Sequence, residues 1–270
     1  MIQWVGQGIR TGIKTTAYPG SPETAPGVSP GLPLGTPTSP GAPRTEKGER
    51  QLESLIGCCP TQALNQKDGE IVVDYRRCVH CYRCERQAPT PLAWSHDYEW
   101  ASANHSADPQ RNLGKQFSRS IHILVVDAGD CGACLHEVKQ LNNPYYNMHR
   151  LGFFLTPSPR HADVLLVVGP VTDHMRGPLQ KTYEAMPPPK KVVAVGACAL
   201  SGGVFGPSFV SEAGVAKIIP VDVEVPGQPP PPLAILHGLL VAVGHRPSTV
   251  LTSPPAVSLS AVELLERGTR

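Results

Sequence analysis

Three short runs of aliphatic, largely β-branched residues constrain this chain most: IHILVV (121–126), ADVLLVV (162–168) and KVVAV (191–195). Each ends in a loop containing glycine, and helical stretches separate them. Continuous apolar runs of this length suit strands buried on both faces, which predicts a parallel, doubly wound α/β sheet beginning at about Ile121. Ligands of such sheets gather at the carboxyl ends of the strands. Cys131, Cys134 and Cys198 all fall just beyond a strand's carboxyl end. That is where a cofactor site belongs.

A second cysteine pattern lies upstream, in Cys78-Val-His-Cys81-Tyr-Arg-Cys84. C-x2-C-x2-C lets one tight loop present three thiolates to a [4Fe–4S] cluster, and in two-cluster ferredoxins a Cys-Pro after three further residues serves the other cluster. Here Ala88-Pro89 stands at that place, so the missing ligand must come from another Cys-Pro, and Cys59-Pro60 supplies it. If Cys59 ends a first half-motif, its companions belong at 49, 52 and 55, which are Glu49, Leu52 and Leu55. One cluster has thus lost all four ligands while the other keeps all four. Residues 44–100 are therefore expected to form a ferredoxin-like α+β module with one [4Fe–4S] cluster on Cys59, Cys78, Cys81 and Cys84, with Cys58 a small buried hydrophobe. Structural zinc is the competing reading; zinc sites usually bring cysteine pairs separated by longer loops.

The formal charge of +2, without a Lys/Arg run, gives no reason to expect nucleic acid. No stretch approaches the roughly 18 apolar residues of a membrane span, and the opening MIQWVGQGIRTGIKTT lacks a secretory apolar core. A cytosolic-side protein is expected, and eight cysteines there point to metal or redox chemistry rather than disulfides. Over 1–17, Ile2, Val5, Ile9 and Ile13 fall at helical spacing, which predicts a short amphipathic helix needing a surface to lie on; a frayed terminus is the alternative. Residues 18–43, rich in Pro, Gly, Ser and Thr, predict an extended tether or surface-hugging arm. Residues 101–119 are expected to be a connector and 247–270 a C-terminal tail.

From Ile121 to about Arg246 the chain resembles the small subunit of [NiFe] hydrogenases and its complex I counterpart, nearest the membrane-bound, formate-hydrogenlyase type. The resemblance rests on Cys131, Cys134 and Glu137 (C-x2-C-x2-E), Asn143-Pro144-Tyr145-Tyr146, Ser158-Pro159-Arg160-His161-Ala162-Asp163, Gly169-Pro170-Val171-Thr172 and Gly196-Ala197-Cys198-Ala199. It implies a flavodoxin-like domain with a second iron–sulfur cluster on Cys131, Cys134 and Cys198. The N-terminal half resembles the two-cluster ferredoxin-like subunit of the same assemblies, through its opening helix, Arg10-Thr11-Gly12, Tyr18-Pro19 and Cys59-Pro60-Thr61.

The family's fourth cysteine is Gln228 here, in Val225-Pro226-Gly227-Gln228-Pro229-Pro230. Three outcomes are open: a [4Fe–4S] cluster with Gln228 or water on one iron, a [3Fe–4S] cluster, or a site that is empty or holds another metal. Loss of an anionic thiolate is expected to raise the reduction potential.

The resemblance implies a non-catalytic electron-transfer subunit of an oxidoreductase complex, peripheral to the cytoplasmic face of the cell membrane. Its implied partners are a large catalytic subunit of hydrogenase or complex I type, membrane-arm subunits, and further iron–sulfur or dehydrogenase subunits. Alternatives are a diverged respiratory relay without hydrogen chemistry, and a structural zinc scaffold. Glu137 is read either as a proton carrier beside the cluster or as a first-turn residue complementing the helix dipole. Asp127 could cap the loop to Cys131 or simply end the strand. The resemblance gives Arg160 and His161 an interface role, and His80 is either a modulator of cluster potential or a surface imidazole. No Ser/His/Asp set, P-loop or GxGxxG is present, so hydrolysis and nucleotide binding have no support.

Overall fold

A computed structural model describes residues 2–23, 37–38, 53–67, 70–87, 93–94, 97–104 and 120–249. Expectations for Glu49, Leu52, Ala88, Pro89 and most of the arm, connector and C-terminal tail lie outside the described residues.

The apolar runs form the centre of a six-stranded sheet. Its strands are β3 (Ser102–Ala103), β4 (Ile121–Asp127), β5 (Phe153–Leu155), β6 (Val164–Val168), β7 (Lys191–Val195) and β8 (Val223–Val225), preceded in the chain by a hairpin of β1 (Leu64–Lys67) and β2 (Glu70–Val73). The spatial order is β3-β8-β7-β6-β4-β5. All neighbours from β8 to β5 are parallel, with Ile123 opposite Val164 and Val164 opposite Lys191. Counted from β4, the parallel strands run 2-1-3-4-5, the flavodoxin order. Every residue of β6 is buried, as expected of a central strand covered on both faces.

The two faces have separate cores. Val164, Leu166 and Val168 pack with Val138 of α3 (Ala133–Gln140) and with α6 (Pro232–Ala242). Leu165 and Val167 face Leu179 of α4 (Asp173–Ala185) and Leu200 of α5 (Ala197–Ser201). The period-two alternation along β6 thus sends successive side chains to opposite helical layers. α6 is buried along its whole length. Its polar residue His237 accepts the Ala101 N–H at Nδ1 (3.2 Å), which leaves Nε2 to donate to the Pro247 carbonyl (3.3 Å).

The expected connector begins as sheet instead: Ser102 and Ala103 pair antiparallel with Glu224 and Val223. A two-residue edge strand of small side chains carries too little periodicity to be recognised in the sequence. The start of the Pro/Gly arm is anchored rather than free. Tyr18 is buried and donates to Glu99 Oε1 at 2.8 Å, and Thr16 N–H donates to the Tyr145 carbonyl at 2.8 Å. Before it, α1 (Ile2–Thr11) is shorter than the expected 1–17 helix and ends before Ile13; Val5, Ile9 and Ile13 are exposed.

The cysteine-rich segment has a small core of its own, Leu55, Cys58, Leu64 and Val73, so Cys58 is indeed a buried apolar group. It is tied to the sheet by Arg76. The guanidinium Nε lies 2.7 Å from Glu224 Oε2 on β8, and the Arg76 carbonyl accepts the Ser201 hydroxyl of α5 at 2.8 Å.

Candidate metal centres

The first centre grows from the β1–β2 hairpin. Leu64 pairs with Val73, closing the segment that leads from Cys59 into β1, and the Ala63 N–H donates to Cys59 Sγ at 3.3 Å. After β2, Asp74 starts a turn: its carbonyl accepts the Cys78 N–H (3.1 Å) and its Oδ1 the Arg76 N–H (3.1 Å). His80 and Tyr82 then adopt positive φ (50° and 55°), which curls the Cys78–Cys84 loop into α2 (Arg83–Gln87). Cys59, Cys78, Cys81 and Cys84 consequently line one cavity.

Burial pushes the Cys78 thiol up to about 12 and Cys84 to about 11. Without metal these thiols hold their protons at neutral pH; cationic iron would displace them and offset the buried charge. Among the described residues no three Cys, His, Asp or Glu side chains converge on the position of a single ion. The four sulfurs border a space instead. Four cysteine sulfurs around one cavity are a donor set that an iron–sulfur group can use.

The second centre lies at the carboxyl edge of the parallel sheet. Beyond β4, Asp127 Oδ1 accepts the N–H groups of Gly129 (2.9 Å) and Asp130 (2.7 Å), confirming its part in shaping the loop. Asp130 then holds the start of α3: its Oδ2 accepts the N–H groups of Gly132 and Leu135, each at 3.0 Å. Its other oxygen, Oδ1, is buried and has no hydrogen-bond partner among the described residues. Cys131 is exposed and Cys134 fully buried in the first turn of α3.

Cys198 arrives from β7 through Gly196, whose φ of 91° and ψ of 152° suit only glycine. A Cβ at Gly196 would lie 2.5 Å from Cys134 Sγ, so the two loops meet there. Gly196 N–H donates to the Val225 carbonyl and Ala197 N–H to the Gly227 carbonyl (2.8 and 2.7 Å), which draws in the loop after β8. That loop carries Gln228, whose Nε2 donates to Cys198 Sγ at 3.3 Å. Burial and the Asp130 carboxylate push Cys134 up. Cys198 is raised by burial too, against the lowering effect of the Gln228 hydrogen bond.

The structure therefore brings Cys134, Cys198 and Gln228 together, with Cys131 on the same loop as Cys134. The donor set fits a sulfur-ligated cluster with one corner lacking a thiolate. Arg160 and His161 precede β6, at the amino edge of the sheet and away from this centre. Glu137 lies beyond the first turn of α3, which removes the helix-dipole explanation for it; burial raises its carboxyl. Asp130 is the group that sequence reasoning missed. Its only signal was an acidic residue directly before Cys131, two positions ahead of the helix N-cap Gly132 and so not at a recognisable cap position.

A flavodoxin-order sheet with cysteine sulfurs on two loops at its carboxyl edge, and an amide on a third, defines a class of α/β proteins with a soft-donor site, and comparison with known proteins narrows it. Residues 131–242 match the family described as NADH ubiquinone oxidoreductase, 20 Kd subunit. The chain is 41% identical over 138 residues to formate hydrogenlyase subunit 7 of Escherichia coli (strain K12), covering 51% of this chain and 54% of that protein. It is 46% identical over 131 residues to a probable membrane-bound hydrogenase subunit of Pyrococcus furiosus, covering 48% of this chain and 78% of that one. Among solved structures, a chain of the archaeal membrane-bound sulfane sulfur reductase aligns with a TM-score of 0.44 at 32% identity, over 48% of this chain and 71% of its own. This chain belongs to the family of the complex I 20 kDa subunit and the [NiFe]-hydrogenase small subunit. It spans about half the length of the Escherichia coli relative. The family match contains Cys131, Cys134, Cys198 and Gln228, and the first centre lies outside it.

Proposed function

We propose that the chain is a non-catalytic electron-relay subunit of a membrane-bound, hydrogenase-related complex. In this reading a ferredoxin-like module (44–100) holds a [4Fe–4S] cluster on Cys59, Cys78, Cys81 and Cys84. The α/β domain (120–246) holds a second iron–sulfur cluster on Cys131, Cys134 and Cys198. Such clusters, when bound, take up and release single electrons.

The observation that carries the reading is a continuous connection between the two centres. His80, inside the Cys78–Cys84 loop, stacks on Trp100 with centroids 6.0 Å apart and planes inclined by 23°. Trp100 Nε1 donates to the Pro226 carbonyl at 2.8 Å. Pro226 stands two residues before Gln228, which holds Cys198. Arg76–Glu224 and Ser201–Arg76 fix the same two segments from another side. A zinc scaffold would need no such bridge.

Two apolar surfaces support an assembled complex. Val204, Phe205, Phe209 and Val210 are exposed (51–96%) in the segment that follows the Cys198 helix, where a large catalytic subunit would cover the second centre. The exposed apolar side of α1 suits a membrane arm at the cytoplasmic face, and no described helix is long and apolar enough to cross a membrane. Nickel-ligating CxxC pairs in the large subunit would assign hydrogen chemistry to the complex; their absence would favour the diverged relay. A redox titration of the anaerobic chain followed by EPR tests the relay itself. Two centres titrating separately, with magnetic coupling when both are paramagnetic, are expected; a single uncoupled signal would contradict it.

A further inference from the structure

The Gln-for-Cys replacement leaves open what completes the second centre, and the loop before Cys131 offers an answer. The Asp130 carboxylate is divided in use: Oδ2 is committed to the amides of Gly132 and Leu135, while Oδ1 is buried without a partner among the described residues. Leaving a carboxylate oxygen buried and unsatisfied is costly, so such an atom calls for a partner, and beside three cysteines a metal ion is one that would serve. The turn cannot swing Oδ1 towards solvent cheaply. Asp127 holds the Asp130 N–H at 2.7 Å, and a Cβ at Gly169, at the end of β6, would lie 2.6 Å from that same nitrogen.

Gln228 is differently employed. Its amide already meets Cys198 Sγ, with Nε2 at 3.3 Å and Oε1 at 3.5 Å. Facing a thiolate, the amide presents its N–H end, because a sulfur anion accepts and cannot donate. A neutral amide is also the weaker competitor for iron beside an anionic carboxylate oxygen.

We propose that Asp130 Oδ1 is the non-thiolate donor at the fourth corner of the second centre, with Gln228 a positioning residue that hydrogen-bonds the Cys198 sulfur; this rests on reading that centre as an iron–sulfur site. Sequence separation is no obstacle, since Asp130 adjoins Cys131 and accepts the N–H of Leu135, the residue after Cys134.

The test uses the full chain, purified anaerobically, with iron counted per chain and cluster type assigned by EPR and Mössbauer spectroscopy. Asp130→Asn keeps an oxygen for the two amides but offers no anionic donor. It is expected to convert the second centre to a three-iron cluster or lose it, while the signal of the first centre persists and reports folding. Gln228→Ala is expected to keep four irons at the second centre with a shifted midpoint. Asp130→Cys, an independent arm should Asp130→Asn fail to accumulate, is expected to retain four irons at a lowered midpoint. Asp130→Asn with four irons and an unchanged midpoint would overturn the assignment, as would an Asp130→Cys midpoint equal to wild type. Loss of an iron in Gln228→Ala but not in Asp130→Asn would transfer the role to Gln228. Wild-type protein without iron at this centre would instead refute the underlying reading, and the ligand assignment with it.

Discussion

Gly196→Ala is the sharpest test of how the second centre is held. Gly196 sits at φ 91°, ψ 152°, where an alanine costs about 1–3 kcal/mol in backbone strain. The added methyl would also lie 2.5 Å from Cys134 Sγ. Neither side can yield easily: Gly196 N–H and Ala197 N–H are bonded to the carbonyls of Val225, at the end of β8, and Gly227, in the loop after it, and Cys134 is fully buried in α3. Overpacking of that kind adds about 2 kcal/mol. Gly132→Ala is the control, because Gly132 also has positive φ (94°) but nothing within 4 Å of an added Cβ, so strain of about 1 kcal/mol is the whole expected cost. The two variants should therefore differ by about 3 kcal/mol, or roughly 6–12 °C in melting temperature for a folded unit of this size. Anaerobic thermal melts measure the difference, and iron analysis should show Gly196→Ala losing metal from the second centre alone. Equal melting temperatures and equal iron in the two variants would refute the packing of Gly196 against Cys134.

Three further outcomes follow from the same geometry. Arg76→Ala strands Glu224, whose side chain is 9% exposed; since Arg76 itself keeps solvent access, the cost should be about 1–3 kcal/mol, with faster protease cleavage between the cysteine-rich segment and the sheet. Burial lowers His237 below its ordinary 6.5, so the unfolded chain binds a proton that the folded one refuses. Stability should therefore be full above pH 6.5 and fall below it by up to about 1.4 kcal/mol per pH unit until the folded histidine itself titrates. His237→Gln should remove that slope in denaturant melts at pH 5.5 and 7.5. Gln228→Cys replaces an N–H donor to sulfur with an anionic sulfur, so the EPR midpoint of the second centre should drop; an unchanged midpoint would mean that residue 228 does not touch the centre.

Much of the α/β domain was legible because its strands are buried on both faces. Val164–Val168 shows an unbroken apolar run for that reason alone, and its glycine end marked where Cys131, Cys134 and Cys198 would gather. What escaped notice was built from short or polar pieces. β8 is Val-Glu-Val, with Glu224 buried only because Arg76 reaches it from another segment, and β3 is two small residues pairing at an edge. Both depend on partners far away in the chain, which local periodicity cannot register. The cysteine spacings suggested donors but said nothing of their surroundings. Asp130 looked like an ordinary loop residue until its two oxygens were seen in different environments, and Trp100 gave no sign in sequence of lying between the centres.

The central claim is that two sets of sulfur ligands in one chain hold iron for moving electrons. Metal and acid-labile sulfide, quantified on anaerobically purified full-length protein, address it without any partner subunit. A brown protein absorbing near 400 nm, with iron and sulfide in near-equal amounts sufficient for two clusters and little zinc, is the expected result. Colourless protein with zinc bound and no labile sulfide would contradict it.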